Sequence, residues 1–169
     1  MKQFRIALSL LIAVSFVITA CPVGSAYPLA ESSAALPFDK ALTGTWENFT
    51  EDAEASLVTL EKGNTDNTYN VKVLETGDMY GAETKEFTAW QVALNGKRFL
   101  VLKENGTSNT SPYYLYHIAV NGSQLITHDV SLLVNGTDAI TSVKSYQEEL
   151  IASMKKEGFL TGKIDWKKK

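Results

Sequence analysis

Apolar and polar positions alternate with period two through much of the chain. Tyr69, Val71 and Val73 bracket Asn70 and Lys72, the signature of a strand that buries one face. Similar runs cover residues 43–50, 56–61, 87–94, 97–103, 113–120 and 123–130. Asn95-Gly96 separates the fourth strand from the fifth, and Asn121-Gly122 separates the sixth from the seventh. Asn-Gly between apolar runs favours a two-residue hairpin, because both turn positions need positive φ. The period lengthens over 142–157, where Val143, Tyr146, Leu150 and Met154 recur at helical spacing. Ser145-x-x-Glu148 offers a capping box there, and Gly158 followed by Phe159 supplies the stop. A short last strand fits 162–166. Residues 38–169 are therefore expected to form one mainly β domain. It is an antiparallel meander closing into a small barrel or strongly curved sheet, with one C-terminal α-helix and a short final strand.

A different pattern opens the chain. Lys2 and Arg5 precede an apolar run over residues 6–18, broken only by Ser9 and Ser15. That run is shorter than the ~20 residues a spanning helix needs, and it has the layout of an export signal over residues 1–20. Cys21, the one cysteine in the chain, follows immediately. Ile18-Thr19-Ala20-Cys21 resembles the lipobox of bacterial lipoproteins. The resemblance implies cleavage before Cys21, a diacylglyceryl group on its thiol and palmitate-type acylation of the new amine. Several chains, with each buried methylene contributing about 0.8 kcal/mol, make a stable membrane anchor. Pro22 stands where many lipoproteins kept at the inner membrane carry aspartate. The expected address is thus the cell envelope, at the outer membrane if the host is Gram-negative. The alternative is a secreted protein cut after Gly24-Ser25-Ala26. Residues 21–37, rich in Ala, Ser and Pro and without a period, read as a flexible lipidated tether.

Gly44-Thr45-Trp46 resembles the Gly-x-Trp that opens the first strand of lipocalins and related calycin barrels, and the meander followed by a helix is similar. Small bacterial lipoproteins with a GTW-type first strand share the layout. The resemblance implies a lipocalin-like barrel, with an apolar cup for a small hydrophobic ligand. Departures are visible as well. Seven strands precede the helix where the family has eight. The arginine that stacks on the motif tryptophan near the chain end is missing. Arg98 lies mid-chain, and only Lys163 and Lys167 flank Trp166.

Charge and motifs narrow the chemistry. Net charge is −3, and removing Lys2 and Arg5 leaves 14 basic against 19 acidic residues. A nucleic-acid partner is not expected from that balance. The sequence holds no G-x-S-x-G elbow, P-loop or G-x-G-x-x-G, so neither an enzyme nor a cofactor is expected. His117 and His128 are the sharpest candidate pair. With Asn121-Gly122 as the turn, His117 faces Ile126 and Leu115 faces His128. The two imidazoles are then diagonal neighbours, roughly 7 Å apart at the backbone, and Asp129 falls on the opposite face. A zinc site needs three or four ligands, so a metal there is a minor reading. Tyr113, Tyr114 and Tyr116, with Trp90 and Phe99, read as core, and Trp46 as a plug at one core end. The expected function is an envelope lipoprotein with a non-catalytic binding domain. Its partner is either a small hydrophobic molecule or, in the alternative, an envelope protein met by a filled barrel.

Overall fold

The computed structural model describes residues 24–48, 55–77, 81–106 and 112–169. The expected signal and Cys21 lie outside them. Strand β1 (Gly24–Ser25) is followed by β2 (Gly44–Asn48), β3 (Ala55–Lys62), β4 (Thr68–Gly77) and β5 (Gly81–Leu94). Then come β6 (Lys97–Glu104), β7 (Tyr113–Asn121), β8 (Gln124–Val130), helix α1 (Val143–Ser153) and β9 (Leu160–Lys168). Strands β2 to β9 pair in sequence order, all antiparallel, and β9 returns to pair with β2. The expected meander is thus a closed, lipocalin-like barrel of eight strands, which leaves no long free edge. The eighth wall strand is the one after the helix. At nine residues it is longer than the short strand the pattern suggested.

Alternation decides what faces inward. Trp46, Leu60, Tyr69, Val71, Phe87, Ala89, Leu100, Leu102, Ile118, Leu125 and Trp166 form one buried cluster in which no member is more than 8% exposed. A ligand-sized cup would leave some of these side chains open to water. These side chains take up much of the interior, while Val58, Val73, Tyr114, Tyr116 and Ile164 on the same face are only partly buried.

The odd-numbered residues of β6 and β7 point outward. Phe99, Val101 and Leu115, with Trp90 and Val92 of β5, pack under Tyr146 and Leu150 of α1. The helix starts three residues before the expected box. Ser142 is its N-cap, exchanging hydrogen bonds with Ser145. Gly158 (φ 78°) and the buried Phe159 close the segment as anticipated.

Asn95-Gly96 forms its expected turn, with Leu94 facing Lys97 and both turn residues at positive φ. The second hairpin differs. Asn121 pairs with Gln124, so the turn residues are Gly122 and Ser123, with only Gly122 at positive φ. Positive φ at the first turn position alone is the type II′ arrangement. The Lys168 amide donates to the Ser123 carbonyl, so the neighbouring strand fixes this turn.

The expected flexible tether is corrected over its described part, residues 24–37. Gly24 and Ser25 pair with Tyr114 and Tyr113, on the edge of β7 that β8 leaves open. Leu29 is fully buried, its carbonyl accepting from Gln147 Nε2 at 2.9 Å. Trp90 Nε1 donates to the Ala30 carbonyl at 2.9 Å, and the Leu36 amide to Gln91 O at 2.9 Å. A strap held this way needs no apolar period. It docks on unpaired strand edges and through single side chains.

Candidate functional site

The strap ends across one rim of the barrel, the rim formed by the β7–β8 turn, the start of β2 and the end of β9. A 3₁₀ turn (Lys40–Leu42) seats the fully buried Leu42 on the core, and Trp46 Nε1 donates to the Leu42 carbonyl at 2.9 Å. Trp46 is fully buried and so serves as the expected plug. Lys168 Nζ lies 5.1 Å from its ring centroid, a cation over the motif tryptophan supplied by neither Lys163 nor Lys167. Gly44 makes room for it: a Cβ there would sit 2.7 Å from Lys168 Cε, and the glycine's φ is +125°.

Beneath the turn lies a polar network that no local pattern in the chain announces. Arg98 points inward from β6, and its Nη2 donates to Gln91 Oε1 at 2.6 Å and Asp39 Oδ2 at 3.0 Å. Gln91, 1% exposed, passes its Nε2 hydrogen to Tyr69 Oη at 2.7 Å, and that oxygen also accepts from the Asp39 amide at 2.8 Å. Phe38 stacks on the Tyr69 ring at 5.0 Å. Burial raises the Tyr69 pKa, so the phenol stays neutral and bonds as a hydroxyl. Above the network is a depression of about 490 Å³, lined by residues 36–40 with Gln91 and Arg98. Arg98 Nε is buried there without a partner. This rim is cationic. Lys40, Lys62, Lys97, Arg98 and Lys167 to Lys169 meet there against Asp39, Glu47, Glu61 and Asp66. Half of the basic side chains that follow residue 20 thus crowd one end of an acidic domain.

His117 and His128 come together more closely than expected. The register places them directly opposite, with ring centroids 5.5 Å apart on the outer face and Phe99 against His117. Asp129 stays on the other face, as expected. Burial pushes His117 down to about 4, with Lys97 and His128 adding repulsion, and burial also lowers His128. Both are therefore neutral near pH 7, and both Nδ1 atoms are buried without partners. Among the described residues no third His, Cys, Asp or Glu joins them in a metal-holding group. Of the tyrosines, Tyr113 packs edge-on against Trp90 and Tyr114 against Phe87, both as core.

In sequence, Asp129 is notable only for standing off the histidine face. It lies on the inward-facing parity of β8, opposite Tyr116 and Thr161, and burial alone pushes its pKa up to about 6. Gly162 gives it room, since a Cβ at that glycine would collide with Asp129 Oδ2. Glu149 behaves oppositely. It accepts from the Val134 and Asn135 amides, from Asn135 Nδ2 and from Ser153 Oγ, and these bonds lower its pKa despite burial. It clamps the loop after β8 to α1.

Comparison with protein-family models, with curated proteins and with solved structures gave no match for this chain.

Proposed function

We propose that this chain is a lipid-anchored lipoprotein of the bacterial cell envelope, moored through Cys21, whose domain is a non-catalytic interaction module. The observation that carries the module reading is how much of the interior buried aromatic side chains take up. With Trp46, Tyr69, Phe87 and Trp166 packed across the barrel, binding falls to its rims and outer wall rather than to a cup. This supports an envelope protein as partner over a small hydrophobic molecule. The anchor reading rests on the Ile18-Thr19-Ala20-Cys21 motif. It gains support from β1, because a cut after Ala26 would discard Gly24 and Ser25 and leave the edge of β7 bare. Cleavage before Cys21 keeps both.

Two experiments test the reading. Cells fed labelled palmitate should label the wild type and not Cys21→Ser, and equal label in both would refute the anchor. Native mass spectrometry of protein from its own host should show the bare chain, with a specific envelope protein recovered by cross-linking. A stoichiometric co-purified hydrophobe would favour the cup instead.

A further inference from the structure

Resting on the interaction-module reading, we infer that the depression over Arg98 is a carboxylate-binding site. It seats one acidic side chain, flanked by an apolar one, from a segment of the partner protein. The depression, about 490 Å³, has the size of a ligand site. Its lining carries Lys40 and Arg98 against Asp39, one positive charge in excess. One carboxylate balances that excess, whereas a phosphate dianion would overshoot it. Both bonds from Arg98 to its neighbours leave through Nη2, so Nη1 is not spent on them. The side chain is 42% exposed, which puts that unspent edge within reach of a ligand. Leu36, Pro37 and Phe38 complete the wall, none of them fully buried, and they receive the apolar neighbour.

The site is preformed. The amides of Leu36, Phe38 and Asp39 donate to Gln91 O, Asn67 Oδ1 and Tyr69 Oη at 2.9, 3.1 and 2.8 Å. The Ala41 amide donates to Asp39 Oδ1 at 2.9 Å. Four amides between residues 36 and 41 are thus fixed before a ligand arrives, and little ordering entropy opposes binding. Asp39 has both oxygens engaged, one by Ala41 and one by Arg98, so Lys40 and Nη1 are left to the ligand. Lys62, whose Nζ lies 6.0 Å from the Phe38 ring centroid, extends the positive field along the same wall. Glu61 and Asp66 stand at this rim but outside the lining. The wider charge pattern selects the sign of the partner. Away from this rim the chain beyond residue 20 carries 7 basic against 15 acidic residues. An acidic segment is therefore repelled by the body and drawn to one end.

The test uses the protein purified from its host in neutral detergent. The probe is a fluorescein-labelled peptide of alternating leucine and glutamate. Anisotropy should report saturable binding that is lost when glutamine replaces glutamate in the probe. Lys40→Glu should weaken binding about three- to tenfold. Lys103→Glu, the same charge change at the opposite end of β6, should weaken it by less than about twofold. Carbodiimide joins a bound carboxylate to an adjacent lysine Nζ as an amide, the urea leaving, and should link the probe chiefly to Lys40. Equal weakening by the two variants, or no binding by the wild type, overturns the site. Stronger competition by inorganic phosphate than by acetate, at equal ionic strength, overturns the carboxylate and gives the depression to a phosphate group. Should the probe bind as expected while cross-linking in cells recovers no envelope protein, the site stands and the module reading falls.

Discussion

Asp129 gives the sharpest quantitative prediction. Its carboxyl faces inward beside Gly162, and burial raises its pKa from 3.8 to about 6. Between those values the folded chain holds the proton more tightly than the unfolded chain. The stability this contributes is complete below about 3.8 and is lost as pH rises through 6. A rise of that size corresponds to about 3 kcal/mol. The half-buried side chain is partly screened by solvent, which leaves about 1–2 kcal/mol. Asp129→Asn keeps the shape and removes the charge. The variant should therefore exceed the parent by about 1–2 kcal/mol at pH 7, with the gain fading by pH 4. Urea unfolding followed by tryptophan fluorescence, on the chain from residue 21 with Cys21→Ser in both proteins, measures it at each pH. The histidines contribute equally to both chains and drop out of the difference. A variant no more stable at pH 7, or a difference that does not change with pH, would refute burial as the cause.

His117 should act with the opposite sign. Its folded pKa of about 4 lies below the ordinary 6.5, so acidification from pH 6.5 to 4 should cost the wild type about 1–3 kcal/mol. That slope should flatten in His117→Gln by the same unfolding assay, and an unchanged slope would contradict it. Gly162→Ala should destabilise by about 2 kcal/mol or more, from its φ of +51° and the collision with Asp129. Part of that loss should return in Asp129→Ala, as a double-mutant cycle would show. Arg98→Met leaves Gln91 and Asp39 without their shared donor, so a loss of about 1–3 kcal/mol is expected. Faster proteolysis between residues 30 and 40 should accompany it. Trp46→Ala should cost about 3–5 kcal/mol, measured by thermal unfolding.

The barrel was legible because alternation along a strand reports directly which face is buried. The second hairpin shows the limit of that signal. Asn121-Gly122 marked the turn, but the backbone bond from Lys168 to Ser123 sets it one residue further on. The pairing is therefore offset by two residues, which keeps every side chain on its face and brings His117 opposite His128. The strap was illegible for a different reason. Residues 24–37 dock by backbone groups on open strand edges and by the short buried run Pro28-Leu29-Ala30, so composition showed only Ala, Ser and Pro. The rim network was hidden by distance, since Asp39 and Arg98 stand 59 residues apart and meet only when the barrel closes. Asp129 and Gly162 were hidden likewise, being neighbours across the last strand pair. Cys21 remains what the sequence alone makes it, a cysteine placed at the edge of an apolar run.

The most direct test of the account is the intact mass, with N-terminal fragmentation, of the protein extracted from its host's membranes. The predicted result is a chain that begins at Cys21 and carries a diacylglyceryl thioether and an amide-linked acyl group. A lipid-free chain beginning at Tyr27 would contradict the anchor and would also remove the β1 strand that holds the strap to the barrel.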